Sequence, residues 1–206
     1  SAASDVYKRQ FLTRPLLCTF HPEKLILNDI CHEMSTCFAD LLSDRQVTFI
    51  PGDAEQLSFP SGQDLIVSCS ALQWFVSPEQ FFKRCNALLS GHGYFAFSTF
   101  GKENLKEIAA VTGSGLHYYS LEELKKSLSM HYNIVTAGEE RIRLTFATPL
   151  DVLYHLKHTG VTAVCRQAWT KGDLQEFCDK YAKLFSCGNA VTLTYHPLYI
   201  IARKKP

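Results

Sequence analysis

Between Leu25 and Ser98 the apolar residues switch repeatedly between a strand period and a helical one. That alternation limits the chain to βαβ architecture more firmly than any other feature of it. Leu25 to Asn28, Val47 to Ile50, Leu65 to Cys69 and Tyr94 to Ser98 are short β-rich runs, and the first three are continuous enough for strands buried on both faces. Cys31 to Leu42 places Met34, Phe38, Leu41 and Leu42 on one helical stripe, and Pro78 to Leu89 does the same with Phe81, Phe82, Cys85, Leu88 and Leu89. Ser77-Pro78-Glu79-Gln80 reads as a capping-box start with proline at the first helical position, and Ser90-Gly91-His92-Gly93 should end that helix before the next strand. The expectation is an α/β fold with a largely parallel sheet.

The second half changes character. Ser120 to Met130 reads as a helix capped by Ser120 with Glu123, Tyr132 to Phe146 as one long strand, and Thr148-Pro149 as the start of a helix running to Thr159. A helix from Asp173 to Phe185 and a strand from Val191 to Ala202 follow. Two strands separated by a helical insertion predict an antiparallel edge with a helical cap set over the cleft. No internal repeat or low-complexity tract interrupts the pattern.

Three of the early strands end in polar residues: LILND closes on Asp29, VTFIPGD on Asp53, and DLIVSCSALQW opens into Ser70 and Gln73. Ligands of doubly wound folds sit beyond the carboxyl ends of the strands, so these are the contacts expected for a nucleoside. A ribose-binding carboxylate stands about 20 residues after a glycine-rich turn, which would place that turn in SAASDVYKRQ, where no glycine occurs. Back-translated as TCG GCA GCG TCA GAT GTG TAT AAG AGA CAG, residues 1–10 resemble the transposon-end adapter of short-read sequencing libraries. The expected organisation is therefore a non-native leader over 1–10 and one domain over 11–206 that begins inside a longer protein.

A hydrophobic content of 46% excludes a disordered chain. Without Asp5, Lys8 and Arg9 the basic and acidic residues are equal in number, so no global field draws the chain to nucleic acid or to an anionic membrane. The eight cysteines are scattered, with no C-x-x-C pair and no His partner at zinc spacing. Free thiols in a cytoplasmic protein are the expectation, with no metal. No apolar run approaches the roughly 20 residues of a membrane span.

GDAEQLSF, SCSALQWF, GHGYFAFSTFGKENLKEI and LTYHPLYIIARKK together resemble the malonyl-acyl-carrier-protein O-methyltransferases of biotin synthesis, within the class I S-adenosylmethionine-dependent methyltransferases. The resemblance implies a Rossmann-like sheet, here without its first strand and Gly-rich turn, carrying a helical cap insertion. It also implies S-adenosyl-L-methionine as cofactor and the malonyl thioester of acyl carrier protein as partner. On the cofactor side Asp29 would accept from the ribose hydroxyls, Asp53 from the adenine amino group, with the Ala54 N–H for a ring nitrogen and Ser70 and Ala71 lining the methionine part. Asp29 could also cap the helix beginning at Cys31, serving both roles, and Asp53 could be a turn residue after Pro51-Gly52. On the substrate side the resemblance points to Gln73, Trp74, Lys157, Tyr195 and His196. A hydrogen-bonded strand histidine competes for His196, a solvated face for Arg141 and Arg143, and a plain core role for Trp74 and Phe75. Lys102, Lys106, Lys157, Arg166 and Lys171 could form a basic rim for an acidic carrier.

The implied reaction asks little acid–base work of the protein. A carboxylate of ordinary pKa near 4 is ionised at pH 7 and already nucleophilic, so positioning is what remains to be supplied. Within the enzymes, another class I methyltransferase acting on a small carboxylate or a quinone remains open. In other classes, a nicotinamide-dependent oxidoreductase or a non-catalytic carrier-protein-binding fragment also remains open. If the central first strand is missing, two rows of buried backbone groups lose partners, and the 206-residue chain should neither bind the cofactor well nor unfold cooperatively.

Overall fold

The computed structural model describes residues 12–159 and 169–206, which divide into two compact units in sequence, one through Pro60 and one from Ser61. In the first, α1 (residues 12–20) precedes β1 (Leu25–Asp29) and β2 (Val47–Pro51). The two strands pair in parallel, Leu25 opposite Val47 through Asp29 opposite Pro51. Asn28 strengthens the pairing, its Nδ2 donating to the Ile50 carbonyl at 2.8 Å and to the Gly52 carbonyl at 3.0 Å. The helix expected from Cys31 to Leu42 is instead a 3-10 helix, His32–Phe38, followed by turns. HEMSTCF holds few strong helix formers and has no side-chain cap, and the Thr36 hydroxyl donates back to the Glu33 carbonyl at 2.7 Å. Met34 and Phe38 are buried all the same, so the apolar stripe survives in a tighter winding.

The second unit contains β3 (Gln63–Cys69), α2 (Pro78–Leu88), β4 (Leu89–Phe100), α3 (Lys106–Thr112), α4 (Leu121–Leu128) and β5 (Tyr132–Glu139). It continues through β6 (Ile142–Phe146), α5 (Pro149–His158), α6 (Lys171–Phe185), β7 (Ser186–Cys187), β8 (Ala190–Tyr195) and β9 (Pro197–Lys204). One sheet runs β3-β4-β9-β5, with β3 parallel to β4 and β9 antiparallel to both of its neighbours. Phe95, Phe97, Leu198, Ile200 and Ala202 alternate onto the face covered by α2 and α4, while Tyr94, Tyr199 and Ile201 remain exposed on the other. β3 is accordingly half-exposed, with Leu65 at 38%, where its continuous apolar run predicts burial on both faces. Phe82 stacks on Phe97 at 5.6 Å between ring centroids, and the buried Tyr132 hydroxyl donates to the Phe82 carbonyl at 2.8 Å, tying α2 to β5. Ser90 to Gly93 belong to β4 and do not form a separate turn.

Two long strands expected from sequence are each broken. The run from Tyr132 to Phe146 divides at Glu140-Arg141 and the run from Val191 to Ala202 divides at His196, at the same level of the fold. Pro197 has no N–H for a ladder, and the Glu140 N–H donates to the Pro197 carbonyl at 3.1 Å across the bend. Beyond it β6, β8 and β7 form a second sheet, which packs with α3, α5 and α6 around Ile108, Val152, Leu156, Phe177, Tyr181 and Leu193. The cap is therefore a mixed layer of helices and strands and not helices alone. Thr148 and Thr170 open α5 and α6 with capping boxes to Asp151 and Asp173, and Ser120 opens α4 in the same way with Glu123, whereas the capping box expected from Ser77 to Gln80 does not form and α2 starts on Pro78, whose fixed φ already suits the first helical position. No helix among the described residues is long and apolar enough to cross a membrane.

Candidate functional site

Both carboxylates of the first unit lie at the carboxyl edge of its parallel pair. Asp29 is buried, its Oδ1 accepting from the Cys31 N–H at 2.8 Å and its backbone carbonyl from the Gly52 N–H at 2.7 Å. Asp53 follows Gly52, whose φ of 130° is a conformation that favours glycine, and its Oδ1 accepts from the Glu55 N–H at 2.8 Å. Each thus holds a local turn. A carboxylate offers several lone-pair sites, so one turn bond is compatible with a further donor from a ligand. Ala54 sits in the same turn, half-buried.

At the carboxyl edge of the second unit, Ser70 leaves β3 with φ at 49°, a left-handed conformation uncommon for serine. Its N–H donates to the Ser98 carbonyl at 2.9 Å, and its carbonyl accepts from Gln73 Nε2 at 2.6 Å. Gln73 Oε1 in turn accepts from the Thr99 hydroxyl at 3.2 Å, so this side chain ties the Ser70-Ala71 turn to the end of β4. Trp74, next in the short 3-10 helix, is 52% exposed, which removes the plain core reading. Gln73, Thr99, Phe100 and Tyr118 line a cavity of about 10 Å³.

Gly101 to Glu107 grip the junction of β8 and β9. The Gly101 N–H donates to the His196 carbonyl at 2.7 Å and the Leu105 N–H to the Thr194 carbonyl at 2.8 Å. Glu107, buried, accepts from the Thr194 hydroxyl at 2.5 Å and the Thr194 N–H at 3.0 Å. Asn104 Oδ1 accepts from the His196 N–H at 3.2 Å. The His196 ring lies against Gly101, where a Cβ would come within 2.6 Å of its Cε1. Its Nδ1 accepts from the Glu103 N–H at 3.2 Å, which leaves the ring proton on Nε2, donated to Glu139 at 3.0 Å. His196 is only 3% exposed with both nitrogens engaged, the strand-histidine alternative to a substrate contact.

The charge chain continues outward, Arg141 bridging Glu103 and Glu139 and Lys106 pairing Glu103 at 3.0 Å. Arg141 and then Lys106 push the Glu103 carboxyl down to about 2, and the hydrogen bond from His196 holds Glu139 below its usual range. Lys102, Glu103, Ser120, Glu139, Arg141 and His196 line a cavity of about 280 Å³. Tyr195, the other residue of the junction, is half-buried. Its hydroxyl lies 3.0 Å from His155 Nε2, and burial pushes its pKa up.

Of the anticipated basic rim, Lys102 is paired with Glu123 at 2.6 Å and Lys106 with Glu103, while Lys157 and Lys171 are exposed and Arg166 lies outside the described residues. Arg143 is exposed, as a solvated face predicts, but Arg141 is engaged by two carboxylates. Sequence reasoning passed over Thr99, Asn104, Glu107, Tyr118 and His155. Thr99, Asn104 and Glu107 lie within GHGYFAFSTFGKENLKEI, whereas Tyr118 and His155 lie outside every block that carries the resemblance and had no signal in the sequence.

Residues 10–97 match the family described as a methyltransferase domain. The chain is 56% identical over 203 residues to a malonyl-(acyl-carrier protein) O-methyltransferase of Bacteroides thetaiotaomicron, a match covering 94% of this chain and 78% of that protein. The chain belongs to the malonyl-(acyl-carrier protein) O-methyltransferase family. A Bacteroides fragilis member is also 56% identical, over 194 residues that make up 94% of this chain and 39% of that longer protein. Among solved structures, a Bacillus halodurans protein assigned as a methyltransferase superposes with a TM-score of 0.62 at 16% identity, covering 89% of this chain and 84% of that one, which speaks for the fold. In this family member, FGKENLKE and LTYH, two blocks of the initial resemblance, are physically interlocked.

Proposed function

We propose that the chain transfers a methyl group from S-adenosylmethionine to the free carboxylate of a malonyl thioester carried by acyl carrier protein. The observation that carries this reading is the 56% identity to a protein of that name across 94% of the chain. Against it, the quinone-methylating, nicotinamide-dependent and non-catalytic readings have no observation in their favour.

The residues suit the cofactor. Asp29 would accept from the ribose hydroxyls and Asp53 from the adenine amino group, with the Ala54 N–H beside it, and Ser70 and Ala71 would line the methionine part by backbone contact. The bound cofactor supplies a methyl group activated by a sulfonium. The chain's part is to hold the malonyl carboxylate in line with that methyl and to keep water away. The nucleophile is ionised at neutral pH, so no general base is required. Carboxylate and sulfonium lose charge together as the methyl moves, which a site with few exposed polar groups favours. Gln73, Trp74 and Tyr195 would stand on the substrate side with Lys157 further out, and His196 would act by fixing the Tyr195 backbone.

The test is methyl-ester formation by the full chain with malonyl-acyl carrier protein against free malonate. The carrier-bound substrate should turn over faster, because carrier contacts contribute binding energy to positioning. Equal rates on free malonate would overturn the carrier assignment.

A further inference from the structure

Asn104 is 5% exposed and uses both ends of its amide. The atom facing the His196 N–H must be an acceptor, so it is Oδ1, which fixes the orientation of the amide. Nδ2 then faces the Tyr118 hydroxyl at 3.0 Å. An amide NH₂ only donates, so the phenol oxygen accepts and its own hydrogen is directed away from Asn104. Burial raises the Tyr118 pKa above its ordinary value, so that hydrogen is retained at neutral pH.

Tyr118 borders the small cavity at the end of β4, with Gln73 and Thr99. Thr99 gives its hydrogen to Gln73, and Gln73 gives one of its own to the Ser70 carbonyl. The cavity, about 10 Å³, is about the size of one water-sized group. We propose that Tyr118 is a specificity-determining residue that donates its hydroxyl hydrogen to one oxygen of the malonyl group, and that Asn104 is the positioning residue that turns the hydrogen toward it. The inference rests on the methyl-transfer reading above and adds a contact that the sequence did not signal.

Two variants test it in the full chain, with melting temperature and the KM for malonyl-acyl carrier protein and for S-adenosylmethionine measured for each. Tyr118→Phe removes one oxygen and keeps the ring. The malonyl-carrier KM should rise about tenfold or more, with the cofactor KM unchanged. Asn104→Asp keeps an acceptor for the His196 N–H but makes Tyr118 the donor to residue 104, withdrawing the hydrogen from the cavity while preserving both bonds. It should reproduce the KM increase of Tyr118→Phe. A merely structural Asn104–Tyr118 bond predicts instead that Asn104→Asp leaves both KM values within twofold of the parent, and that result overturns the proposal. So does a Tyr118→Phe enzyme whose malonyl-carrier KM is unchanged. Should Tyr118→Phe melt below the assay temperature, Asn104→Asp alone decides. A parent chain inactive on malonyl-acyl carrier protein overturns the functional reading together with this one, whereas an active parent with unresponsive variants overturns this one alone.

Discussion

Asp29 holds a turn and is proposed to hold a ribose, two roles that a single substitution can separate. Its Oδ1 holds the Cys31 turn, and its charge is what a ribose would meet. Asp29→Asn in the full chain keeps an oxygen for the turn and loses the charge-assisted bonds, each about 1.5–3 kcal/mol. Cofactor affinity by calorimetric titration should fall at least tenfold with little change in melting temperature. Asp53→Ala, which on the proposed reading removes an acceptor for one amino group, should weaken affinity less. The carboxyl of Glu103 offers a second single-residue test. Its folded pKa of about 2 lies below the ordinary 4.5, so its stabilising contribution is complete above pH 4.5 and is lost as pH falls toward 2. Glu103→Gln should show a shallower loss of melting temperature than the parent over that acid window. The positions of Asp29 and Asp53 at the carboxyl edge of the parallel pair were legible in the sequence, because the apolar runs that precede them mark where the strands end. Asn104 and Tyr118 were not, since their meaning lies in which atom donates across a distance of many residues.

The elements divide along the same line. β1 to β3 were readable within two residues, since continuous apolar runs bounded by glycine, proline and aspartate carry their own limits, and the capping box at Ser120 marks α4 plainly, whereas β4 begins at Leu89, five residues ahead of the expected Tyr94, and takes in the supposed turn. Ser120→Ala should cost about 0.5–2 kcal/mol of stability by removing that cap, measurable by chemical denaturation. The breaks at Glu140-Arg141 and at His196 were invisible because strand propensity runs straight through them. What imposes the bend is the clamp formed by Gly101 to Glu107. Thr194→Val leaves the shape intact and deprives buried Glu107 of its hydroxyl partner, so a loss of about 1–3 kcal/mol is expected. Gly101→Ala acts on the same clamp from the other side, pushing a methyl into the His196 ring. It should lower both melting temperature and turnover, whereas an alanine at an unencumbered loop position would alter neither.

At the scale of the whole molecule the family assignment and the α/β architecture agree, and the cap is where local pattern stopped being informative. Lys102 and Lys106 are already paired with glutamates. Added salt should therefore lower turnover of malonyl-acyl carrier protein only modestly, through exposed cations such as Lys157 and Lys171. A steep, many-charge salt dependence in steady-state rates would contradict this. The strand order β3-β4-β9-β5 has a further effect, on how the protein reaches its fold. β9 lies between two strands that both precede it, and the bonds that tie the β8–β9 junction to the Gly101–Glu107 clamp join residues as far as 95 positions apart, Gly101 and His196. Loop closure on that scale must come before the contacts that reward it, which places the molecule among slow, high-contact-order folders. Until β9 arrives, β4 and β5 each expose an unpaired edge open to strands of other chains. In pulsed hydrogen exchange during refolding, the amides of β4 and β5 that face β9 should therefore gain protection late and together, and aggregation should rise with concentration until they do.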